Sequence, residues 1–246
     1  MHTNRFSNFR LETYGQCREK YYNVYFANNR KKDFNRPYLI EGQFCHDVLR
    51  QYRAQIQHME DDDFKTRFEV MADSYRLFLK LHDTTQFDPR RCRAYLYDYL
   101  REYKDEPIRN SVELEERFEF KFSNIKLIGV TDRIDKIGKN DYEIVDYKTT
   151  SKPEYLDRSL QPAIYFLYGK DKFGDEANIK VSYILLSLGC KKLTVDPSVI
   201  EAKIFEIIPS VKRIVKEKNW REKTISPLCD YCDFISKCFP NSWNDD

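Results

Sequence analysis

Two stretches decide the fold: Gly129-Val-Thr-Asp132-Arg-Ile-Asp135 and, beyond the turn Gly138-Lys139-Asn140-Asp141, Glu143-Ile-Val-Asp146-Tyr147-Lys148-Thr149. They read as two strands, about 125–137 and 142–148, joined in a hairpin. Residues i and i+2 share a strand face, so Asp146 and Lys148 point the same way with Ile144, and Val145 and Tyr147 point the other way. An acid and a lysine flanked by Ile, Val and Tyr are costly to bury unless they pair or hold a metal. Asp132, on the preceding strand, can approach Asp146 across the hairpin; Asp135 is its rival, and strand parity does not choose between them. Each piece alone also fits a surface charge or a same-face ion pair. Together they offer two carboxylates to Mg²⁺ or Mn²⁺, hard cations that prefer oxygen. A neighbouring lysine could neutralise phosphate charge or position a water.

Upstream of the hairpin, residues 114–122 alternate Leu114, Phe118, Phe120 and Phe122 with charged residues, which predicts a third strand. Four helices are expected before it: about 8–26, 41–57, 62–82 (Phe64, Phe68, Met71, Tyr75, Phe78 and Leu81 at helical spacing) and 90–104 (Tyr95, Tyr99, Tyr103). Downstream come a helix over about 153–170, bent or restarted near Pro162, and strands near 179–187 and 191–196. A basic amphipathic helix over about 197–218, with a break expected at Pro209, leads to a cysteine-bearing tail. The expected architecture is α/β (α+β): one domain over 1–246, with a helical block at about 41–105, a mixed-sheet core at about 112–200 and helices flanking the sheet.

The chain has 246 residues, 41% hydrophobic and 33% charged, a globular composition long enough to bury a core. Net charge is +2, so bulk electrostatics announces no nucleic-acid partner. The local clusters Lys31-Lys32, Arg90-Arg91-Arg93, Lys191-Lys192 and Lys212 to Arg221 fit either solvated faces or phosphate tracking. No apolar run approaches membrane-spanning length and the opening residues do not form a signal peptide, so a cytoplasmic protein is expected. In a reducing compartment, seven cysteines read first as metal ligands or buried small residues. The tail carries Cys229, Cys232 and Cys238; a tetrahedral site or cluster needs a fourth thiolate, and distant Cys17 is the natural candidate. Cys45, Cys92 and Cys190 read as buried small residues.

Gly-x-x-Asp followed fourteen positions later by Asp-x-Lys resembles the core of the PD-(D/E)xK nucleases, whose sheet is restriction-endonuclease-like. Gln161-Pro-Ala-Ile-Tyr165 resembles the Gln-x₃-Tyr motif of the RecB-like branch, and Gly42-Gln-Phe-Cys-His46 its upstream Gly-x₃-His. Phe6 to Cys17 resembles that branch's N-terminal motif. The resemblance covers essentially the whole chain in the right order. It implies Asp132, Asp146 and His46 as metal ligands, Lys148 as the catalytic lysine, and Gln161 and Tyr165 lining the site; between Asp132 and Asp135 it favours Asp132. Glu115 or Glu116 could enter from the adjacent strand. It also implies a [4Fe–4S] cluster on Cys17, Cys229, Cys232 and Cys238, with zinc as the alternative occupant; Arg18 stands where the branch has proline.

The activity so implied is a Mg²⁺- or Mn²⁺-dependent deoxyribonuclease, an exonuclease on single-stranded DNA or DNA ends, serving recombination, repair or CRISPR adaptation. The competing readings are a non-catalytic DNA-binding module and an iron–sulfur structural subunit of a helicase–nuclease complex. The chain carries no Gly-x₄-Gly-Lys-Ser/Thr, so unwinding would need a helicase partner; a CRISPR-adaptation protein is the other partner implied.

Overall fold

The computed structural model describes residues 4–27, 36–59, 63–106 and 111–240. A short strand β1 (Arg5–Phe6) leads into α1 (Asn8–Gln16) and α2 (Arg18–Tyr25). The single helix expected over 8–26 is broken at Cys17, whose backbone is extended (φ −164°, ψ 125°). The helical block follows as α3 (Pro37–Ile56), α4 (Phe64–Leu81) and α5 (Pro89–Glu102). Its helices start where the sequence supplies caps: Asp63 accepts from Thr66 N–H at 2.7 Å, and Asp88 caps α5 just before Pro89. Lys31 and Lys32 lie outside the described residues.

The core then runs β2 (Ser111–Phe122), β3 (Ile125–Lys136), β4 (Asp141–Lys148), α6 (Gln161–Phe173), β5 (Asn178–Leu185), β6 (Lys191–Thr194), α7 (Pro197–Lys216) and the short α8 (Ile235–Cys238). All six strands form one mixed sheet. β4 and β5 are parallel, joined through α6, while β2–β3, β3–β4 and β5–β6 are antiparallel. The helix expected from 153 is a 3-10 segment over 153–158, and α6 restarts at Gln161 with Pro162 in its first turn. The break expected at Pro209 does not occur: α7 is continuous through it, with Ile207, Val211 and Ile214 buried on either side. Packing of that apolar stripe outweighs the hydrogen bond that proline removes.

Two cores sandwich the sheet. The α3–α5 block packs on one face around Phe44, Leu49, Tyr52, Leu96, Tyr99, Val145, Tyr147 and Ile184. On the other face α1, α2, α6 and α7 pack around Tyr21, Phe118, Leu127, Ile134, Ile144, Ile164 and Val181. The α4 stripe is buried only in part: Met71 and Phe78 enter the core, whereas Phe64, Phe68 and Leu81 remain exposed. Cys45, Cys92 and Cys190 are fully buried thiols, as expected.

One irregularity of the sheet positions the site. β2 pairs along nearly all of β3, so β1 and β4 must share the opposite edge. β1 takes Lys126 and Leu127, β4 takes Arg133 to Lys136, and 128–132 lie between the two. Leu127 and Ile134, odd and even, both pack into the second core, so one residue between them breaks the strand alternation. Asp132 and Glu115 stand opposite each other there, outside the paired register, and Glu115 has a left-handed backbone (φ 49°). A non-glycine residue in that conformation stores local strain, which the flanking pairs hold in place.

Candidate active site

Asp132 turns its carboxylate into the gap between β3 and β4. Oδ2 accepts the Tyr147 backbone N–H at 2.7 Å, and Oδ1 lies 3.1 Å from His46 Nδ1. His46, on α3, holds its other nitrogen 2.9 Å from the Tyr147 carbonyl oxygen. A carbonyl accepts, so Nε2 carries a proton; the carboxylate also accepts, so Nδ1 carries one too. The two acceptors together favour the doubly protonated ring. Burial pushes the His46 pKa down, but Asp132 outweighs it and raises the value to about 9. Burial pushes Asp132 up, and the imidazolium, the Tyr147 N–H and Lys148 more than offset it, leaving the acid below the usual carboxylate range.

Asp146 is anchored from α6. Gln161 Nε2 donates to Asp146 Oδ1 at 3.0 Å and to the Tyr165 hydroxyl at 2.8 Å, while Gln161 Oε1 accepts from Lys148 Nζ at 3.0 Å. The Tyr165 hydroxyl lies 2.8 Å from the Val130 carbonyl oxygen and 3.0 Å from Asp146 Oδ1, so its one proton serves either. Val130 pairs with β2 on one side but has no strand on the β1/β4 side, and there this tyrosine occupies the place of a strand partner. Asp146 Oδ2 is buried without an aligned hydrogen bond, and Lys148 Nζ faces it at 2.7 Å. Burial, reinforced by Asp132, raises the Asp146 pKa against the pull of Lys148. The lysine's own pKa is lowered by burial and raised more by Asp146, so it is an ammonium at neutral pH, a charge donor and not a base.

All six residues singled out for this site are thus brought together: His46, Asp132, Asp146, Lys148, Gln161 and Tyr165. Asp135 is not. Its Oδ2 sits 3.0 Å from Arg133 Nε and its Oδ1 accepts from Ser111 Oγ at 2.8 Å, on the side of the helical block. Glu115 lines a small pocket with His46, Arg50 and Asp132, whereas Glu116 is exposed. Two further residues of the site are not singled out by the sequence, although the first lies within the Phe6–Cys17 stretch. Glu12 of α1, a neighbour that helps to raise the Lys148 pKa, accepts from Asn8 at 3.0 Å and from Ser159 at 2.7 Å. Tyr183 of β5 presents its ring 5.7 Å below Lys148 Nζ. The parallel register Asp146↔Tyr183 would have found the second, but only once the strand pairing was known.

Beyond the C-terminal end of α1, Cys17, Cys229, Cys232 and Cys238 line one pocket with Leu228, Phe234, Ile235 and Lys223. All four are free thiols. Burial raises the Cys238 pKa, Lys223 opposes it, and Cys232 and Cys17 add to it. Among the described residues no three His, Cys, Asp or Glu side chains are already gathered as an ion cage.

A family profile described as the PD-(D/E)XK nuclease superfamily matches residues 5–239. The chain belongs to the PD-(D/E)xK nuclease superfamily. The six-stranded mixed sheet with helices on both faces is the fold of these nucleases. A Eubacterium rectale protein provisionally named an exonuclease has a crystal structure similar to this nuclease over 99% of this chain and 90% of its own, with a TM-score of 0.55 and 13% identity. At that identity the likeness speaks for the fold alone. No curated protein matches the chain. Among the described residues no helix is long and apolar enough to cross a membrane.

Proposed function

We propose that the protein is a divalent-metal-dependent deoxyribonuclease of the RecB-like branch, acting as an exonuclease on single-stranded DNA or DNA ends. The observation that carries this reading is the pairing of one buried and one partly buried carboxylate with two cations, Lys148 against Asp146 and His46 against Asp132, in one gap of the sheet. Asp132 Oδ1 and His46 Nδ1 already share one positive charge, a proton, and Asp146 Oδ2 lacks an aligned donor. With the Nδ1 proton of His46 displaced, two carboxylates and one imidazole form a donor set that suits Mn²⁺, or Mg²⁺ held chiefly by the carboxylates. His46, Asp132 and Asp146 would hold the ion, which when bound lowers the pKa of water and polarises a phosphoryl oxygen.

The remaining work falls to the chain itself. The Tyr147 carbonyl fixes the His46 ring, and its N–H fixes Asp132. Gln161 orients Lys148 and Asp146 together, so the ammonium faces developing negative charge on phosphate without a conformational search. Tyr165 locks Asp146 to β3.

The cysteine pocket is assigned to a [4Fe–4S] cluster. Four free thiols, apolar walls and a nearby lysine suit an anionic thiolate cluster better than a disulfide. By joining Cys17 to cysteines more than two hundred residues away, the cluster would stabilise the fold by about 4–5 kcal/mol if a disulfide is the guide. Processing of DNA ends in recombination, repair or CRISPR adaptation follows from this reading, with a helicase or CRISPR-adaptation protein as partner.

The test is cleavage of end-labelled single-stranded DNA with Mn²⁺ by wild type, Asp146→Ala and Lys148→Ala. Both variants should be inactive; equal cleavage by all three removes the proposed site. Protein purified without oxygen should be brown, with iron and sulfide lost in Cys17→Ser. A colourless protein with stoichiometric zinc would replace the cluster by a zinc site.

A further inference from the structure

Arg50 lies on α3 one turn beyond His46, on the same helix face, and lines a pocket with His46, Asp132, Glu115 and Tyr147. Its side chain is 41% exposed. Two carboxylates attend it: Glu115 Oε2 at 3.0 Å from Nε and Asp47 Oδ1 at 3.5 Å from Nη2. Neither holds it well, since Nε makes no aligned hydrogen bond and 3.5 Å is the outer limit for Nη2. Arg53, three residues on, is the contrast. It is buried and bonded to Tyr99 and Glu106, a structural arginine.

The loosely held guanidinium therefore sits at the rim of a site rich in acids (Asp47, Glu115, Asp132 and Asp146) that a polyanionic strand must enter. Glu115 carries its left-handed backbone at the point where β2 faces Asp132. A partly exposed, weakly aligned ion pair exchanges more readily than a buried, well-bonded one, and a planar guanidinium matches phosphate bidentately.

We propose that Arg50 binds a DNA backbone phosphate beside the scissile one, and that Glu115 holds it in readiness until the strand displaces the carboxylate. This rests on the nuclease reading and names the residue that anchors its substrate.

The experiment measures binding of a fluorescein-labelled oligothymidylate as NaCl is raised, with Ca²⁺ present in place of Mg²⁺ to leave the DNA uncut. Loss of one phosphate contact on a single strand should lower the slope of log affinity against log salt by about 0.7 in Arg50→Ala. Affinity should fall about tenfold, a loss typical of one charge-assisted hydrogen-bonded contact. Arg50→Lys should keep the slope and lose only part of the affinity, and Glu115→Gln should bind several-fold more tightly because the arginine is released. Mn²⁺ stoichiometry, read by electron paramagnetic resonance, should be unchanged in all three. A wild-type slope and affinity in Arg50→Ala, weaker binding by Glu115→Gln, or loss of Mn²⁺ by Arg50→Ala would each overturn the assignment. If wild type itself binds no oligothymidylate, the nuclease reading fails with it; if wild type binds and Arg50→Ala binds equally, only the role of Arg50 fails.

Discussion

Glu106→Gln should destabilise the protein by about 2–4 kcal/mol at pH 7. The carboxylate serves two buried guanidinium groups at once: it pairs with Arg53 and with Arg133, whose Nη2 lies 3.1 Å from Oε1. Arg53 and Arg133 are 1% and 0% exposed. In the variant Arg133 keeps Asp135 at 3.0 Å and the hydroxyls of Tyr99 and Tyr147, whereas Arg53 keeps, among the described residues, the Tyr99 hydroxyl. Removing one partner of a buried pair costs about 3–5 kcal/mol; Glu106 retains some solvent contact, which trims the figure. At roughly 2–4 °C per kcal/mol for a chain of this size, Tm should fall by about 5–15 °C. The pH profile gives a second handle. Burial raises the Glu106 pKa, but Arg133 and Arg53 lower it more, so the folded value lies below the unfolded one. The stabilisation is therefore complete above the unfolded value of about 4.3 and is lost as pH falls through the folded one. Thermal unfolding of both proteins by circular dichroism should show a gap at pH 7 that closes in acid. A gap below about 0.5 kcal/mol at pH 7, or one unchanged at low pH, would refute the reasoning.

Three further outcomes follow from the same coordinates. Tyr165→Phe removes the hydroxyl shared by Val130 and Asp146, and kcat should fall about ten- to a hundredfold with KM nearly unchanged in steady-state cleavage assays. Gly129→Ala would place a Cβ 2.4 Å from the Phe118 ring, which is stacked at 4.2 Å on Tyr168; urea denaturation should show a loss of about 1–3 kcal/mol, and a neutral result would mean that the ring moves freely. Pro209→Ala should raise Tm, because the α7 interior carries a residue about 3 kcal/mol poorer than alanine; an unchanged or lower Tm would show that the proline packs productively.

Local patterns carried much of the fold. The hairpin of β3 and β4 declares itself through alternation and the turn at Gly138 to Asp141, and Asp146 and Lys148 share a face for reasons any strand obeys. Strand parity does not separate Asp132 from Asp135, because the strand does not alternate regularly between Leu127 and Ile134; the split edge of β3, where Tyr165 stands in for a strand, is a property of the assembled sheet. Arg133 looks like any hairpin arginine until α3, α5 and Glu106 close around it, since the ion pair joins segments far apart in the chain. Cys17 was singled out for its chemistry, but the helix break it creates was hidden: nothing in Gln16-Cys17-Arg18 is a helix breaker. Pro209 errs the other way, a strong breaker overruled by the apolar stripe around it. Tertiary packing decided both.

The pocket that joins Cys17 to Cys229, Cys232 and Cys238 has a consequence for synthesis. On the ribosome its first thiol emerges early and its last after more than two hundred further residues, so the sheet and both cores can assemble before the site has all its walls. Nascent chains arrested before Cys229 should therefore already resist protease across the β2–β5 core, and the cluster proposed for this pocket would be inserted after that core has formed.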